Sequence, residues 1–580
     1  MGVFKLDVGA RDHLRGRLWT TLLIALLAIL IGLQVATQHV GSELGYPYAL
    51  GPRTSHDLFP PWAILQWAVQ WGWTMEDLLW DGAQLGLVVT CVAFSMGVVL
   101  WPYRTQTDQL HGSARWANVW DLLRSGLLAQ DPKDSVVVGA YRNPLGLVQT
   151  LRHSGMENVL CYGPPRSGKG AGLVVPTLLS WEHSVFVTDL RGELYQLTSG
   201  LRHALGQRVY RFAPGETDSA CWNPLDEIRL NSAHTVGDIQ TIATLLVDPD
   251  GKGLEDHWQK TAQSLLVGLI FYAIHEDDHH PTLQHIDALL SEPGESSQQL
   301  WQTMASSKHV LIAACGRDML DRPPQEAGSV LSTAKSYLAL YRDPTVAHNT
   351  RHCEFRLRDL MHHAKSHTVY LVTQPADKDR LRPLVRLMLS MAVRTLAADV
   401  AFEAGQPAQH YRHRLLLMLD EFPALGKLPI LAESLAFLGG YGIKAYLICQ
   451  DTVQLQATYG PQETITAACH VQIAFPPNRP QTAEYLSSLL GTTTVRYRSP
   501  NRGGRHGTSY ATHWTQRALL TPDECRSLPG PRKAPGGRIT RPGHLLVIMA
   551  GCRPIYGIQP LYFRDRALRE RAAYPATHSH

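Results

Sequence analysis

Residues 158–177 read N-V-L-C-Y-G-P-P-R-S-G-K-G-A-G-L-V-V-P-T, and this stretch decides the fold of the chain. An apolar run predicts a strand, Gly and Pro predict a tight loop, and the residues after them predict the start of a helix. Gly163, Gly168 and Lys169 match the phosphate-binding pattern G-x-x-x-x-G-K. In such a loop, backbone N–H groups and the helix N-terminus surround an anion, and the lysine adds a point charge. The sequence therefore predicts a site for nucleotide phosphates.

This phosphate loop departs from the usual pattern at one position. Gly170 stands where Ser or Thr normally follows the lysine, so no hydroxyl is offered there to Mg²⁺. A metal ion would then depend on water, on the phosphates and on a carboxylate from elsewhere in the chain. The alternative interpretation of the loop alone is a chance Gly-rich turn.

Residues 414–421, R-L-L-L-M-L-D-E, predict a buried strand that ends in two acids. A nucleotide hydrolase needs such a pair. Asp420 would hold Mg²⁺ through water, and Glu421 would orient the attacking water. The alternative is a core strand that ends in a solvated acidic turn. Gln450 ends another predicted strand, 444–449, where it would sense the γ-phosphate or be an ordinary polar strand cap.

Length and composition set the limits of the architecture. A chain of 580 residues is too long for one core, so two or more domains are expected. The net charge of +4 is unremarkable, and the nine cysteines include no C-x-x-C pair. This pattern argues against a zinc ribbon or a disulfide framework and fits a reducing compartment. The His pairs at 279–280 and 362–363 are interpreted as surface residues rather than as a metal site.

Two apolar segments near the N-terminus predict a membrane anchor, with spans at about 18–37 and 82–102. A cleaved signal peptide is the alternative for the first segment, but the second favours a retained anchor. The loop at 38–81 carries one Arg, no Lys and five acids, whereas Arg residues flank the outer ends of both spans. The positive-inside rule therefore predicts that both termini are cytoplasmic.

The body after the anchor alternates predicted strands and helices, which indicates a parallel sheet with helices on both faces. Residues 136–151 predict a small antiparallel hairpin, and residues 184–189, S-V-F-V-T-D, predict a strand that ends in an acid. Between 235 and 360 the apolar spacing becomes helical, as in the helix predicted at 257–273. We interpret this region as an all-helical insertion. Residues 544–550 predict a last strand that closes the sheet.

Residues 496–543 form a basic region with ten Lys or Arg and two acids. The many Gly and Pro residues predict loops. Such a region could follow nucleic-acid phosphates, or it could be a solvated loop.

Together these segments resemble the TraG/TraD-type coupling proteins of conjugation and type IV secretion. The resemblance covers nearly the whole chain. Its residues, in the family's order, are the two-span anchor, H-G-S-A-R-W-A (111–117), G-P-P-R-S-G-K-G (163–170), D-L-R-G-E (189–193), W-N-P-L-D (222–226), M-L-D-E-F-P-A-L-G (418–426) and I-C-Q-D (448–451).

The resemblance implies a fold and a domain division. The expected fold is α/β: a RecA-like P-loop NTPase domain with an inserted all-α domain, preceded by a two-helix transmembrane anchor. The expected domains are the anchor at 1–103, the RecA-like domain at 104–234 and 361–580, and the all-α domain at 235–360.

The resemblance also implies ATP and Mg²⁺ as ligands, a homohexamer at the bacterial inner membrane, and single-stranded or double-stranded DNA as cargo. The other implied partners are a relaxase or relaxosome, or effector proteins, together with the secretion channel components and the lipid bilayer. The implied catalytic residues are Lys169, Asp420, Glu421 and Gln450, with Asp420 on the metal. The implied phosphate-binding residues are Gly163, Pro164, Pro165, Arg166, Ser167, Gly168, Lys169, Gly170 and Ala171.

One feature of the family's pattern is missing. Some relatives place an Arg about eleven residues before the Gln, where it acts across a subunit interface. Here the corresponding residues are Gly439-Gly440-Tyr441. Arg479 and Lys444 are the candidate substitutes, and neither has a motif to support it.

We therefore expect a membrane-anchored ATPase that recruits substrate to a type IV secretion apparatus and drives its transfer. A chromosome translocase of the FtsK kind is one alternative, although such proteins usually carry more spans and a C-terminal winged-helix module. A platform that docks substrate without hydrolysing ATP is the other. The Asp420-Glu421 pair argues against it, because a scaffold needs no hydrolytic carboxylate.

Overall fold

The computed structural model describes residues 10–45, 50–51, 58–100, 111–128, 130–143, 145–291, 294–397, 402–403, 406–407, 411–502 and 508–576. The chain forms two compact units, Met1–Leu110 and His111–His580.

The first unit is helical. It contains α1 (Ala10–Glu43), α2 (Ala63–Trp71) and α3 (Glu76–Leu100). The segments Thr21–Glu43 and Glu76–Gly97 are long and apolar enough to cross a membrane. The two predicted spans are therefore present as helices, and α2 is an addition that the sequence did not predict.

Small residues bring α1 and α3 into close contact. A Cβ atom on Gly86 would lie 2.8 Å from the backbone oxygen of Gly32, so the two backbones meet where neither residue has a side chain. Below this contact, the Thr37 hydroxyl donates to the Pro61 carbonyl at 2.9 Å. The side chains of Gln34 and Gln38 both donate to the Phe59 carbonyl at 3.0 Å. The connection between the helices is thus tied to α1.

The second unit is built on strands. They are β1 (Val136–Arg142), β2 (Val148–His153), β3 (Val159–Tyr162), β4 (Ser184–Asp189), β5 (Arg208–Phe212), β6 (His367–Val372), β7 (Phe402–Glu403), β8 (Gln406–Pro407), β9 (Leu415–Leu419), β10 (Ile443–Cys449), β11 (Val471–Ala474), β12 (Thr492–Arg502), β13 (Thr508–Ala518), β14 (Arg532–Lys533), β15 (Ile539–Arg541), β16 (His544–Met549) and β17 (Ile555–Ile558).

Its helices are α4 (Val119–Arg124), α5 (Val175–Leu178), α6 (Glu193–Ala204), α7 (Thr235–Val247), α8 (His257–His275), α9 (Leu283–Ser291), α10 (Gly294–Ala305), α11 (Val310–Asp321), α12 (Pro324–Leu338), α13 (Pro344–Asn349), α14 (Asp359–His362), α15 (Lys378–Leu396), α16 (Pro429–Ser434), α17 (Thr452–Tyr459), α18 (Pro480–Leu490), α19 (Pro522–Arg526) and α20 (Arg566–Arg571). From α7 to α14 the described elements are all helical.

An eleven-stranded sheet organises this unit, in the order β2-β1-β17-β16-β11-β3-β10-β9-β4-β6-β5. The strands from β11 to β5 run parallel to their neighbours, which confirms the predicted parallel core. The strands β16, β17, β1 and β2 run antiparallel to theirs, so the sheet is mixed.

Burial explains why the central strands have continuous apolar sequences. Every residue of β9 is buried. Leu415, Leu417 and Leu419 belong to a core shared with α7 and α8, while Leu416 and Met418 belong to a second core shared with α5 and α6. Since both faces of the strand are covered, no alternation of polar residues is possible.

Two sequence predictions were wrong. The basic region at 496–543 is not mainly loop, because β12 and β13 pair over eleven residue pairs in a separate two-stranded sheet. The segment 544–550 does form a strand, β16, but it does not close the sheet. The chain turns back into β17, and β2 and β5 are the outer strands.

Candidate nucleotide-binding site

Three sequence motifs meet at the carboxyl edge of the parallel strands. The central strand β10 pairs with β3 on one side and with β9 on the other. Because the strands are parallel, the residues that follow them lie at one edge. The phosphate loop follows β3, Asp420 and Glu421 follow β9, and Gln450 follows β10.

Lys169 is the centre of this cluster. Its Nζ atom lies 2.7 Å from Glu421 Oε1 and 3.7 Å from Asp420 Oδ1. The same ammonium donates to the carbonyl oxygen of Gly163 at 3.4 Å. The structure thus brings together two residues that are 252 positions apart in the sequence.

Glu421 is held in an uncommon backbone conformation. Its φ of 55° and ψ of 38° are left-handed, a region that residues other than Gly seldom adopt. Its second carboxylate oxygen, Oε2, accepts a hydrogen bond from Gln450 Nε2 at 2.9 Å. The carboxylate is therefore fixed between Lys169 and Gln450, as strained residues at functional sites often are.

The two adjacent acids have opposite pKa shifts. Burial raises the pKa of Asp420 to about 6, the Lys169 charge opposes this shift, and the charges of Glu421 and Asp189 add to it. Burial also acts to raise the pKa of Glu421. The hydrogen bonds that Glu421 accepts and the positive charge of Lys169 outweigh burial, so the pKa of Glu421 is lowered. For Lys169, burial acts to lower the pKa, and the two carboxylates outweigh burial and raise it.

The phosphate loop has the backbone that its sequence predicts. Gly168 has a φ of 88° and Arg166 a φ of 60°. The Gly163 N–H donates to the Cys449 carbonyl at 2.9 Å, and the Ser167 N–H donates to the Pro164 carbonyl at 3.2 Å. The helix that follows contains a π-helical turn at Gly170–Val174 and continues as α5. Pro165 is exposed, and Ala171 lies in the π-helical turn.

The residues present fit a phosphate and a hydrated divalent cation. Asp420 Oδ1 is buried, lies 3.7 Å from the Lys169 ammonium and has no hydrogen-bond partner among the described residues, so it can accept a hydrogen bond from a metal-bound water. At Gly170, a Cβ atom would meet no atom within 4 Å. Crowding therefore does not explain why a glycine, rather than a Ser or Thr with its hydroxyl, stands at this position.

Asp189 also belongs to this edge, although the sequence analysis gave it no role. It ends β4, which pairs with β9, and its charge acts on Asp420. Its Oδ2 atom accepts the Tyr195 N–H at 2.9 Å, and Thr188 Oγ1 donates to the Asp420 carbonyl at 3.2 Å. The sequence did contain a signal for Asp189. The strand predicted at 184–189 ends in an acid, as the strand before Asp420 does, so the same rule places both acids at this edge.

A second set of contacts to the loop had no signal in the sequence. The buried side chain of Gln559 donates from Nε2 to the Ser167 carbonyl at 2.7 Å and accepts the Gly543 N–H at 3.2 Å. Lys533 Nζ donates to the Arg166 carbonyl at 2.8 Å. The short β14–β15 hairpin is thus attached to the loop, and the Ile539 side chain lies where a Cβ on Gly168 would point.

The structure distinguishes the three positions considered for the arginine that acts across a subunit interface in some relatives. Gly439–Tyr441 precedes β10, at the amino edge of the strands, away from this subunit's phosphate loop. Lys444 is completely buried, so it cannot reach across an interface. Arg479 has a side chain that is 57% exposed, and its Nε lies 3.1 Å from Asp451 Oδ2.

Comparison with known proteins identifies relatives across the chain. The family described as Type IV secretory system Conjugative DNA transfer matches residues 106–580. A conjugal transfer protein TraG of Escherichia coli is 49% identical over 96% of this chain and 93% of its own length. Protein VirD4 of Rhizobium radiobacter is 26% identical over 85% of this chain and 69% of its own length.

Solved structures share the fold. The plasmid coupling protein TrwB in complex with a non-hydrolysable ATP analogue superposes with a TM-score of 0.57. The match covers 80% of this chain and 96% of TrwB, at 17% sequence identity. TrwB in complex with ADP and Mg²⁺ gives a TM-score of 0.56 at 18% identity. At this identity the likeness establishes the fold, a RecA-like P-loop architecture.

Proposed function

The chain belongs to the type IV secretory system conjugative DNA transfer family, and we propose that it is the coupling ATPase that drives transfer at the membrane. The observation that carries the proposal is the cluster of Lys169, Asp420, Glu421 and Gln450 beside the phosphate loop. Its nucleotide is ATP with Mg²⁺; one related TrwB structure holds a non-hydrolysable ATP analogue, and another holds ADP and Mg²⁺.

Charge supports a metal-bound triphosphate as the ligand. Three carboxylates, Asp189, Asp420 and Glu421, lie at this edge, and among the described residues only the Lys169 ammonium forms an ion pair with any of them. A nucleotide would bring more negative charge, so a divalent cation is needed beside Asp420. When bound, Mg²⁺ neutralises the charge that develops on the phosphate oxygens.

In this proposal the Lys169–Glu421 pair is the resting arrangement. Phosphates in the loop compete for the Lys169 ammonium and release Glu421 from it. Gln450 keeps its hydrogen bond to Glu421 Oε2, so the freed carboxylate stays in place to orient the attacking water. Catalysis then comes from positioning and charge stabilisation rather than from a covalent intermediate. The residues that bind phosphate are 163–171, with Gly168 and Arg166 supplying the turn.

The remaining assignments extend the same proposal. We place the anchor at 1–103, the RecA-like domain at 104–234 and 361–580, and the all-α domain at 235–360. The anchor helices associate the protein with a membrane, and we propose the bacterial inner membrane, two crossings and cytoplasmic termini. DNA and type IV secretion components are its partners. A homohexamer, and a relaxase or effector as the recruited substrate, are the finer proposals.

The test is ATP turnover by the full-length protein in lipid nanodiscs, with and without single-stranded DNA, beside the variant Asp420→Asn. We expect the DNA to stimulate turnover and Asp420→Asn to abolish both the basal and the stimulated rates. ATP binding without turnover under every DNA condition would instead favour the docking platform.

A further inference from the structure

Strands β12 and β13 form a long two-stranded arm, called here the ribbon (residues 492–502 and 508–518). The pairing is continuous from Thr492↔Ala518 to Arg502↔Thr508. Eleven residues of extended chain span about 35 Å. Among the described strands, the ribbon is a sheet of its own and not part of the central one.

The base of the ribbon is fixed to the start of the unit. The Ala114 N–H donates to the Thr492 carbonyl at 2.9 Å, and the Thr494 N–H donates to the Gly112 carbonyl at 3.2 Å. Ser113 forms a bridge with Thr493. The segment H-G-S-A-R-W-A, which had no role at the nucleotide site, thus anchors the arm that begins at Thr492.

The strand register sorts the side chains of the ribbon onto two faces. Successive residues of a strand alternate between faces, and directly paired residues share one. Among the residues whose side chains the structure describes, one face, called here the arginine face, carries the pairs Thr492–Ala518, Thr494–Gln516 and Arg496–Trp514. The other face carries the pairs Thr493–Arg517, Val495–Thr515 and Tyr497–His513.

Charge distinguishes the two faces. The segment 492–518 contains five arginines and no acid. On the second face, Arg517 is neutralised by an ion pair with Glu524. On the arginine face, Arg496 is exposed and forms no ion pair with a described carboxylate. Its guanidinium lies 5.9 Å from the centre of the Trp514 ring. The arginine face therefore combines uncompensated positive charge with an aromatic ring.

The base of the ribbon lies away from the nucleotide site. Helix α18 carries the chain back from the carboxyl end of β11 to the base of the ribbon. The Ala117 N–H, just after the anchoring segment, donates to the Pro554 carbonyl at 2.9 Å. Pro554 comes just before β17. The end of β16 lies beside the start of β11, because Met549 pairs with Val471, and the start of β17 lies beside the end of β16, because Ile555 pairs with Val547. Pro554 therefore lies at the edge of the sheet where β11 begins. The phosphate loop lies at the opposite edge.

We propose that the arginine face of the ribbon binds single-stranded DNA, with the Arg496 guanidinium against a phosphate and Trp514 stacked on an unpaired base. The proposal deepens the proposed function, since it assigns the surface that holds the DNA partner. Arginine charge alone would suit any polyanion, but an aromatic ring beside an arginine suits bases whose faces are free. In a duplex those faces are covered by stacking.

The test is nucleotide-free binding of labelled oligothymidylate to the full-length protein in nanodiscs, followed by fluorescence anisotropy. Each variant has a matched control on the other face: Trp514→Leu beside Tyr497→Leu, and Arg496→Gln beside Arg517→Gln. We expect Trp514→Leu to raise Kd about 5- to 100-fold. Arg496→Gln should weaken binding and lower the salt slope by about 0.7. The controls should stay within about twofold of wild type.

Several outcomes would overturn the proposal. The first is an equal loss of DNA affinity in the variants of both faces, and the second is an unchanged affinity in Trp514→Leu. The third is tighter binding of duplex DNA than of the single strand. The fourth is complete displacement of the DNA by polyglutamate, to the same extent in wild type and in Trp514→Leu. The last would indicate an acidic protein partner. Thermal melting and basal ATP turnover of the variants should match wild type, which separates lost binding from misfolding. Because the assay contains no nucleotide, a failure of the ATPase proposal would leave this result unchanged.

Discussion

Lys169 and Lys444 lie at opposite edges of the same parallel sheet and have opposite environments. Lys169 follows β3 at the carboxyl edge and meets two carboxylates within 3.7 Å. Lys444 lies near the start of β10, and its Nζ meets His153 Nδ1 at 2.8 Å and the carbonyls of Gly155 and Glu157 at 2.5 and 2.9 Å. One amine is balanced by charge, and the other is enclosed by neutral acceptors.

The pKa values of the two lysines reflect this difference. The carboxylates overcome the effect of burial and raise the pKa of Lys169. Burial lowers the pKa of Lys444 to about 7, and the Arg414 charge adds to this shift. A lysine that stays charged beside carboxylates can exchange them for an incoming anion as its ion-pair partner. A completely buried lysine tied to backbone carbonyls stabilises the fold instead. The same residue type therefore does chemistry at one edge and packing at the other.

The largest effect is expected from Lys169→Met. The variant removes the charge that faces the phosphates, so kcat/KM for ATP hydrolysis should fall about 100- to 1,000-fold, the loss typical of removing one positioned charge. Turnover by the full-length protein measures it, with Lys133→Met at an exposed lysine as the control. Wild-type turnover in Lys169→Met would remove this residue from the site.

Lys444→Met should show the reverse behaviour. The change removes the donor to the two carbonyls and the hydrogen-bond partner of His153 Nδ1, which should destabilise the protein by about 1–3 kcal/mol. Turnover by the remaining folded protein should be unchanged at low temperature. Thermal melting beside ATP turnover measures both quantities. A loss of turnover without a loss of stability would contradict the structural role.

The pH dependence of stability separates the two lysines further. The folded pKa of Lys444, about 7, lies below its ordinary value of 10.5, so the unfolded chain binds more protons between these values. Stability should therefore rise with pH in this window, by at most about 1.4 kcal/mol per unit. The difference in stability between wild type and Lys444→Met should grow from pH 7 to pH 9. A difference that is constant or shrinks over this range would show that Lys444 is not held neutral.

Gln559→Ala tests the support of the phosphate loop. The variant removes the donor to the Ser167 carbonyl and the acceptor for the Gly543 N–H. One lost hydrogen bond is worth roughly 1 kcal/mol, so we expect KM for ATP to rise about 3- to 10-fold with a smaller change in kcat. Steady-state kinetics measures both constants, with Gln559→Glu as the conservative comparison. A pure loss of kcat would contradict a positioning role.

The smallest effect is expected from Gly170→Thr. The space around a Cβ at this position is open, so the variant should fold with wild-type stability or slightly above it. The restored hydroxyl can contact the metal shell, and the Mg²⁺ concentration for half-maximal turnover should fall about 2- to 3-fold. Titration of Mg²⁺ at saturating ATP measures it. A variant that folds but needs more Mg²⁺ would show that Gly170 lies away from the metal.

The placement of the predicted site residues at the carboxyl edge follows from how parallel strands are buried. The strands β3, β9 and β10 are covered on both faces, so β3 and β9 read as unbroken apolar runs and β10 is apolar apart from Lys444, and the residues after them meet at one edge. Lys169 was predicted from the spacing G-x-x-x-x-G-K, and Asp420, Glu421 and Gln450 were predicted from their places at the ends of strands; their catalytic roles stay predictions. Asp189 followed from the same rule but was not used.

The ribbon and Gln559 could not be recognised in this way. The sequence of the ribbon is largely polar, so the short alternation V-R-Y-R at 495–498 does not predict two strands of eleven residues, and the Gly and Arg residues that follow resemble a loop. Gln559 acts through contacts with Ser167, 392 positions away, which no local pattern encodes. The neutral surroundings of Lys444 likewise depend on carbonyls from the chain after β2, which only the folded structure shows.

The most direct measurement of the central claim compares ATP binding with ATP hydrolysis in Glu421→Gln. The amide keeps the shape of the side chain and its position beside Gln450, but it loses the charge that orients water. We predict that the full-length variant binds ATP with an affinity close to wild type while its turnover falls at least about 100-fold. Turnover near the wild-type rate with ATP bound would contradict the assignment of hydrolysis to this edge of the sheet.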